Sequence, residues 1–488
     1  MAKQMVWGGV VLAVAVRLAL ALMGAQVHLR RRVEVVTPIN SPMRLAEGHW
    51  LKKLGLSPYA GSAYHGSPLL LEVLGPLTNK GTGGQSKLQV LSSVLVFVGA
   101  DLIAALLLRA IGAMVETAHH HYMTILQSDP QDLDSTRKGQ EKRDENNVGA
   151  KLALGDVAAI LYLLNPFTIA VCVGGTTSPF ENMLVLVALY GALAGNVPLA
   201  SFGWAISTHL SMYPAVLIIP IAFLTISGPD RPQRKVLDRK QLIDMESKSS
   251  NREGEQEEVQ RSQVWCAPVR PYWVGIADLL FWSTLWWLCI MGLCQLALGG
   301  RAHLLEMLSE TYGFMLTVED LSPNLGIFWY FFTEVFTHFR FFFIMVFHAN
   351  ILFVILPLTM RLHHRPFFLA FVMVAISSLL KSYPSVGDAA LTLGLMAICS
   401  PQLSGFRVSL LIMYGYVFVA ILSPSMYDLW IWRGTGNANF YFAMALAYSA
   451  LQSILIVESV GTVIRMDRRL KISLEKKPVE EVDEKKQD

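Results

Sequence analysis

The residues that could do chemistry fall into four polar clusters set between long apolar runs. The first lies along residues 24–87 and offers Glu34, Glu47 and Glu72, carboxylates of the kind that can deprotonate a hydroxyl. No aspartate accompanies them. The first one in the chain is Asp101, inside the next apolar run. The second cluster runs from Ser322 to Phe332 and continues through Glu334, His338 and Arg340. Glu334 and His338 are four residues apart and would share a helix face. Without a third group they are a weak acid–base pair. The favoured reading is an amphipathic helix at a membrane interface with its aromatics at headgroup depth, where Phe328, Trp329 and Phe332 would line an interface or a groove for lipid chains. The third cluster is Lys381-Ser382-Tyr383-Pro384-Ser385-Val386-Gly387-Asp388, a short lumenal turn across which Lys381 and Asp388 would pair, or where they would border the same interface or lipid groove. The fourth is Gly434-Thr435-Gly436-Asn437-Ala438-Asn439, preceded by Trp430 and Trp432. Backbone N–H groups at a helix start, joined by two side-chain amides, suit phosphates or sugar hydroxyls. A plain helix cap needs one asparagine, and two spaced by one residue invite a second role.

Other chemistries find no residues to carry them. There is no HExxH, no GxSxG and no Gly-Lys-Ser/Thr phosphate loop. His119-His120-His121 end an apolar run and His363-His364 sit in a basic turn, so no metal or other cofactor is expected. Of the five cysteines, Cys172, Cys289, Cys294 and Cys399 lie in apolar runs and read as small buried hydrophobes. A net charge of +3 points to no nucleic-acid partner.

The elements that must position these clusters are membrane helices. The chain is 53% hydrophobic and 16% charged, against about 25% charged for a soluble protein. Apolar runs fall near 5–23, 88–115, 152–173, 180–226, 273–298, 341–360, 366–380, 386–400, 405–422 and 438–464. Each approaches the roughly 20 residues a bilayer requires, which predicts an all-α, polytopic protein with about 10 to 12 transmembrane helices. Helix breakers at Asn165-Pro166, Pro179, Pro198, Pro214 and Pro220 would be tolerated where neighbouring helices satisfy the freed backbone.

Charge orients the spans. Arg361 to Arg365 and the run from Arg465 to Lys471 should be cytosolic, and the acidic loop 299–323 lumenal. The basic Arg30-Arg31-Arg32 conflicts with a lumenal first loop, but the charge rule weakens in loops beyond about 60 residues. The chain then divides into 1–126 (two spans with the lumenal loop), a charged disordered loop 127–150, membrane helices 151–228, a second charged loop 229–263, membrane helices 264–470 and a cytosolic tail 471–488. Lys485 and Lys486 stand fourth and third from the end, the dilysine retrieval pattern of endoplasmic-reticulum membrane proteins.

Within the first loop, Ser57-Pro58-Tyr59 followed by Ala63-Tyr64-His65-Gly66-Ser67-Pro68-Leu69-Leu70 resembles an element of the glycosylphosphatidylinositol (GPI) mannosyltransferases. Those enzymes have the membrane glycosyltransferase C fold and a catalytic aspartate in that loop. The aspartate is missing here, so the resemblance implies their helix arrangement without their chemistry. Taken with Arg32-Val33-Glu34-Val35-Val36, Leu163 to Ile169, Ser322 to Phe332, Lys381 to Asp388 and Asn437 to Phe440, it makes nearly the whole chain similar to the U-subunit family of the GPI transamidase.

That resemblance implies a non-catalytic subunit of the endoplasmic-reticulum complex that attaches GPI anchors to proteins bearing a C-terminal signal. The implied partners are a caspase-like catalytic subunit K, subunits T and S, the GPI attachment protein, the GPI lipid and the precursor proteins. It also implies that Asn437 and Asn439 contact the GPI head group. The alternatives are an active dolichol-phosphate-dependent mannosyltransferase, against which the missing aspartates speak, and a transporter or flippase. The latter would want paired ionisable residues at mid-bilayer among Asp101, Arg109 and Asp156.

Overall fold

The computed structural model describes residues 2–78, 87–127, 152–232 and 271–484, and among these residues the chain is helical with no strand. The long helices are α1 (Ala2–Leu22), α5 (Lys87–Gln127), α11 (Tyr272–Leu298), α15 (Thr337–Leu362), α18 (Ser409–Tyr427) and α19 (Ala438–Glu484). Six helices are long and apolar enough to cross a bilayer alone, and the chain is a multi-pass membrane protein. Helices α6 (Leu154–Leu164) and α7 (Pro166–Gly174) meet at a 52° bend and together have the length and composition of a seventh, broken span or of a re-entrant loop. This is fewer full-length spans than the 10 to 12 expected. The remaining apolar runs form α8 (Ser178–Leu193), α9 (Val197–Ser211), α10 (Ile218–Ser227), α16 (Pro366–Leu380) and α17 (Val386–Ile398). These have 10 to 16 residues, and α8, α9, α16 and α17 are wrapped largely in protein. A buried helix and a spanning helix are equally apolar in sequence, so the apolar runs alone do not separate the two.

Small residues set the interior spacing. An added Cβ on Gly203 would stand 2.5 Å from the Ala188 backbone nitrogen, and one on Gly191 would stand 2.5 Å from that of Ala200. Helices α8 and α9 therefore pack backbone against backbone, the close approach that small residues permit between membrane helices.

The bend at Asn165-Pro166 has a donor waiting for it. Pro166 has no N–H, and the Asn165 side chain caps α7 by accepting from the Phe167 N–H at 3.0 Å. Arg17 of α1 donates to the Leu163 carbonyl at 2.8 Å and pairs with Asp101 of α5 at 3.0 Å, with both side chains 1% exposed. Arg109 and Asp156 form a second pair between α5 and α6. These ionisable groups thus hold three helices together.

The helix ends gather into two sets. At one end Asp230 accepts from the Phe367 and Phe368 N–H groups that open α16 and from the Gln402 amide, while Asp467 pairs with His364 and Arg365. Residues 229–232 were expected to begin a disordered loop. Instead Asp230 is buried as the cap of α16, because the free donors of a helix start need an acceptor. At the other end the first loop meets the acidic segment. Arg44 pairs with Asp320, and the His65 ring nitrogen lies 3.0 Å from the Glu310 carbonyl. The segment carrying Arg30 to Arg32 thus shares an end with the acidic segment, as the helix count required and the charge rule did not.

Two further expectations change, and others fall outside the described residues. Helix α19 runs on to Glu484, through residues expected as a free tail, since Lys and Glu favour helix and extending an existing helix needs no new nucleus. Cys289 is exposed on α11, unlike the buried Cys172, Cys294 and Cys399. Residues 128–151, 233–270 and the dilysine pair Lys485 and Lys486 lie outside the described residues.

Candidate functional site

The second and fourth sequence clusters form one site, where α14 (Phe328–Glu334) meets the loop between α18 and α19. A π-turn at Asp428–Trp432 and Gly434, at φ +62°, fold that loop back, so that the Thr435 and Gly436 N–H groups donate to the Leu429 carbonyl at 3.0 and 3.2 Å. Glycine supplies the positive φ at little cost. The Asn437 side-chain oxygen then accepts from the Asn439 N–H at 3.1 Å and caps α19. The Asn439 side-chain oxygen accepts instead from the Tyr330 hydroxyl. Each asparagine spends its oxygen within the protein. Both are exposed, and neither amide NH2 has a partner among the described residues. Two exposed NH2 groups suit acceptor-rich ligands such as phosphates and hydroxyls.

An aromatic floor underlies these amides. Trp329 stacks on Trp430 with centroids 6.1 Å apart, and Tyr330 stacks on Phe442 at 4.3 Å. Tyr441 packs against both Trp329 and Tyr427. Beneath the floor lies Glu34, whose carboxylate accepts from the Ser423 hydroxyl at 2.9 Å and whose carbonyl accepts from the Val386 N–H at 3.0 Å. Burial pushes the Glu34 carboxyl above its usual range, against the opposing pull of its hydrogen bonds and of Arg32. The Tyr441 hydroxyl interacts with the Glu34 carboxylate, and Trp329 Nε1 is buried nearby without a hydrogen-bond partner among the described residues.

The other predicted residues take different places. Phe328 and Phe332 are 1% and 3% exposed and turn inward, packing with Phe347, so they offer no open wall to a lipid. Helical geometry sends residues 328 and 332 to one face and Tyr330 to the opposite one. Glu334 and His338 do not share a helix face, because extended backbone at Val335 and Phe336 separates α14 from α15. Lys381 does meet Asp388, at 3.0 Å, and also Glu181 at 3.4 Å. Burial disfavours the Lys381 ammonium, but the two carboxylates outweigh it and its pKa is raised. The Asp388 side chain closes a capping box with Ser385 at the start of α17. These contacts make Lys381 and Asp388 a structural clasp.

The mannosyltransferase-like element of the first loop is self-bonded. The Tyr59 and Tyr64 hydroxyls donate to the Gly66 and Ser67 carbonyls at 3.0 and 2.6 Å. Ser67 Oγ lies 2.8 Å from His209 Nε2, and the other ring nitrogen lies 2.6 Å from the Tyr312 hydroxyl. Cys294 Sγ is 3.4 Å from the same imidazole. This is nucleophile–base geometry in form, but Ser67, His209 and Cys294 are at most 2% exposed.

An apolar groove runs between the α6–α7 bend, α17 and α18. Its two contiguous parts have volumes of about 720 and 450 Å³ and share Asn165, Pro166, Leu393, Met396, Phe406 and Ser409. It extends up α18 to Ile421, the helix that leads to the asparagine rim.

The family model described as GPI transamidase subunit PIG-U matches residues 11–448. The chain is 29% identical over 458 residues to the GPI-anchor transamidase component PIGU of Mus musculus, covering 94% of this chain and 93% of the mouse protein. It is 26% identical over 447 residues to the GPI transamidase component GAB1 of Saccharomyces cerevisiae, covering 91% of each. A shorter stretch of 169 residues, 34% of the chain and 29% of the relative, is 28% identical to GPI mannosyltransferase 1 of Dictyostelium discoideum.

Proposed function

We propose, because this chain belongs to the family of the GPI transamidase subunit PIG-U, that it is a membrane component of a GPI transamidase that recognises the GPI lipid and leaves bond-breaking to a neighbouring subunit. The observation that carries the reading is the pair of unpartnered amide NH2 groups of Asn437 and Asn439 over an aromatic floor. A GPI head group is rich in phosphate and hydroxyl oxygens, the acceptors such donors take. The aromatic rings beneath supply apolar faces against which sugar rings stack, and the groove along α18 suits acyl chains.

The non-catalytic assignment is supported by where the potential nucleophiles sit. Ser67 and Cys294 reach His209 only in a sealed interior, and the asparagine rim presents neutral amides. The catalytic work then falls to a caspase-like subunit, with subunits T and S and the GPI attachment protein completing the complex in the endoplasmic reticulum. The partial match to a mannosyltransferase fits a shared helix arrangement put to a different use.

The test replaces both asparagines by alanine in the full complex. Cell-surface levels of a GPI-anchored reporter should fall while the other subunits co-purify as before. A stably assembled double variant with normal reporter levels overturns the head-group role.

A further inference from the structure

The most exposed membrane helix carries a polar group where lipid cannot satisfy it. Of the apolar stretch of α15, 6% is buried, against 22–39% in the other five long spans. Phe343, Phe347, Ile351 and Ile355 face the bundle. The flank beside that row carries Phe339, Val346, Asn350, Phe353, Val354 and Arg361, all exposed. Asn350 is the fourteenth of the twenty-six residues and so stands near mid-bilayer. Its amide has no hydrogen-bond partner among the described residues. Seven residues on, Pro357 has no N–H for the Phe353 carbonyl, three residues from Asn350, so a second polar group without its helical partner borders the first. Arg361 ends the flank, and no carboxylate pairs with it among the described residues.

Hydrocarbon supplies neither donors nor acceptors, and polar groups at this depth are met by another protein segment. We propose that this face of α15 docks one membrane-spanning helix of another transamidase subunit. That helix places a hydrogen-bonding side chain against Asn350 and a carboxylate opposite Arg361. Single lipid chains leave the amide unmet, and a second copy of this chain would place Arg361 against a like charge if the helices ran parallel. The surface is separate from the asparagine rim, so the two assignments stand or fall independently.

The experiment uses the intact complex in mild detergent. A photo-crosslinking residue is placed at Val346 and, separately, at Val354, with the equally outward Phe281 of α11 as the control position. In parallel, Asn350→Leu is purified through an affinity tag. Adducts from 346 and 354 should map to a membrane-spanning segment of another subunit. Asn350→Leu should lower the recovery of that subunit about three- to tenfold, the factor an interhelical hydrogen bond contributes, with its own yield unchanged. Asn350→Gln should recover part of the loss. Adducts with lipid alone or with a second copy of this chain overturn the proposal, as does unchanged recovery with Asn350→Leu.

Discussion

The Ser423 hydroxyl donates to the buried carboxylate of Glu34 at 2.9 Å, tying the first loop to the last helical hairpin directly below the asparagine rim. Everything the rim presents is braced from this contact upward, through Tyr441 to Trp329 and Tyr330.

The Glu34 carboxyl is raised by burial, so folding favours its protonated form. Stability from this group is fully present below the ordinary carboxyl range and is lost as pH rises through the raised value. Glu34→Gln keeps an acceptor for Ser423 and removes the charge. Thermal unfolding of the purified complex at pH 5 and pH 8 should therefore show a decline for the wild type that the variant lacks. Glu34→Ala, which leaves Ser423 and Tyr441 without their neighbour, should cost about 1–3 kcal/mol.

Asn437→Asp separates the cap from the ligand contact. Aspartate caps a helix as well as asparagine does, so stability should change by under about 0.5 kcal/mol. It loses the outward NH2 and adds a negative charge, so reporter anchoring should fall several-fold. Asn437→Ala should lose both, with about 1 kcal/mol of helix stability. Equal anchoring by the Asp and wild-type chains would remove the donor role.

Lys381→Ala leaves Glu181 and Asp388 buried without their cation, a change that typically costs about 3–5 kcal/mol. Recovery of folded chain by size-exclusion chromatography should drop sharply. Because the Lys381 pKa is raised, its stabilisation is fully present below the usual lysine range and is lost only as pH climbs past the raised value. The difference between variant and wild type should be flat from pH 6 to 9.

Arg17→Leu strands the Asp101 carboxylate and the Leu163 carbonyl inside the bundle. It should destabilise by about 3–5 kcal/mol, and Arg17→Leu with Asp101→Leu should regain much of the loss. If the pair served transport, the double variant would be stable but inactive. If it is structural, as its contacts indicate, the double variant should anchor the reporter normally.

Part of the site was legible in the chain. Asn437 and Asn439 stand out because two amides before a helix exceed what one cap requires. The Lys381–Asp388 pairing was readable because a short turn leaves few other places for opposite charges to go. Tyr330 and Glu34 were not legible as parts of the rim. Tyr330 sits in a run of aromatics whose spacing cannot tell which side chain turns outward, and Glu34 lies some 400 residues from Asn439. The Glu334–His338 pair failed because sequence spacing assumed one helix where the backbone breaks at Val335 and Phe336.

By itself the sequence determined that this is an all-helical membrane protein, since apolar runs of this length leave the backbone no other way to satisfy its own hydrogen bonds in lipid. It also fixed where helices must bend, because Pro166 has no N–H to give. The tertiary structure alone decided which polar residues meet. Arg17 finds Asp101, Asp230 finds the start of α16, and Tyr330 finds Asn439. The reason is physical: hydrophobicity acts along the chain without direction, whereas a hydrogen bond needs two groups within about 3 Å, and only packing brings distant segments that close.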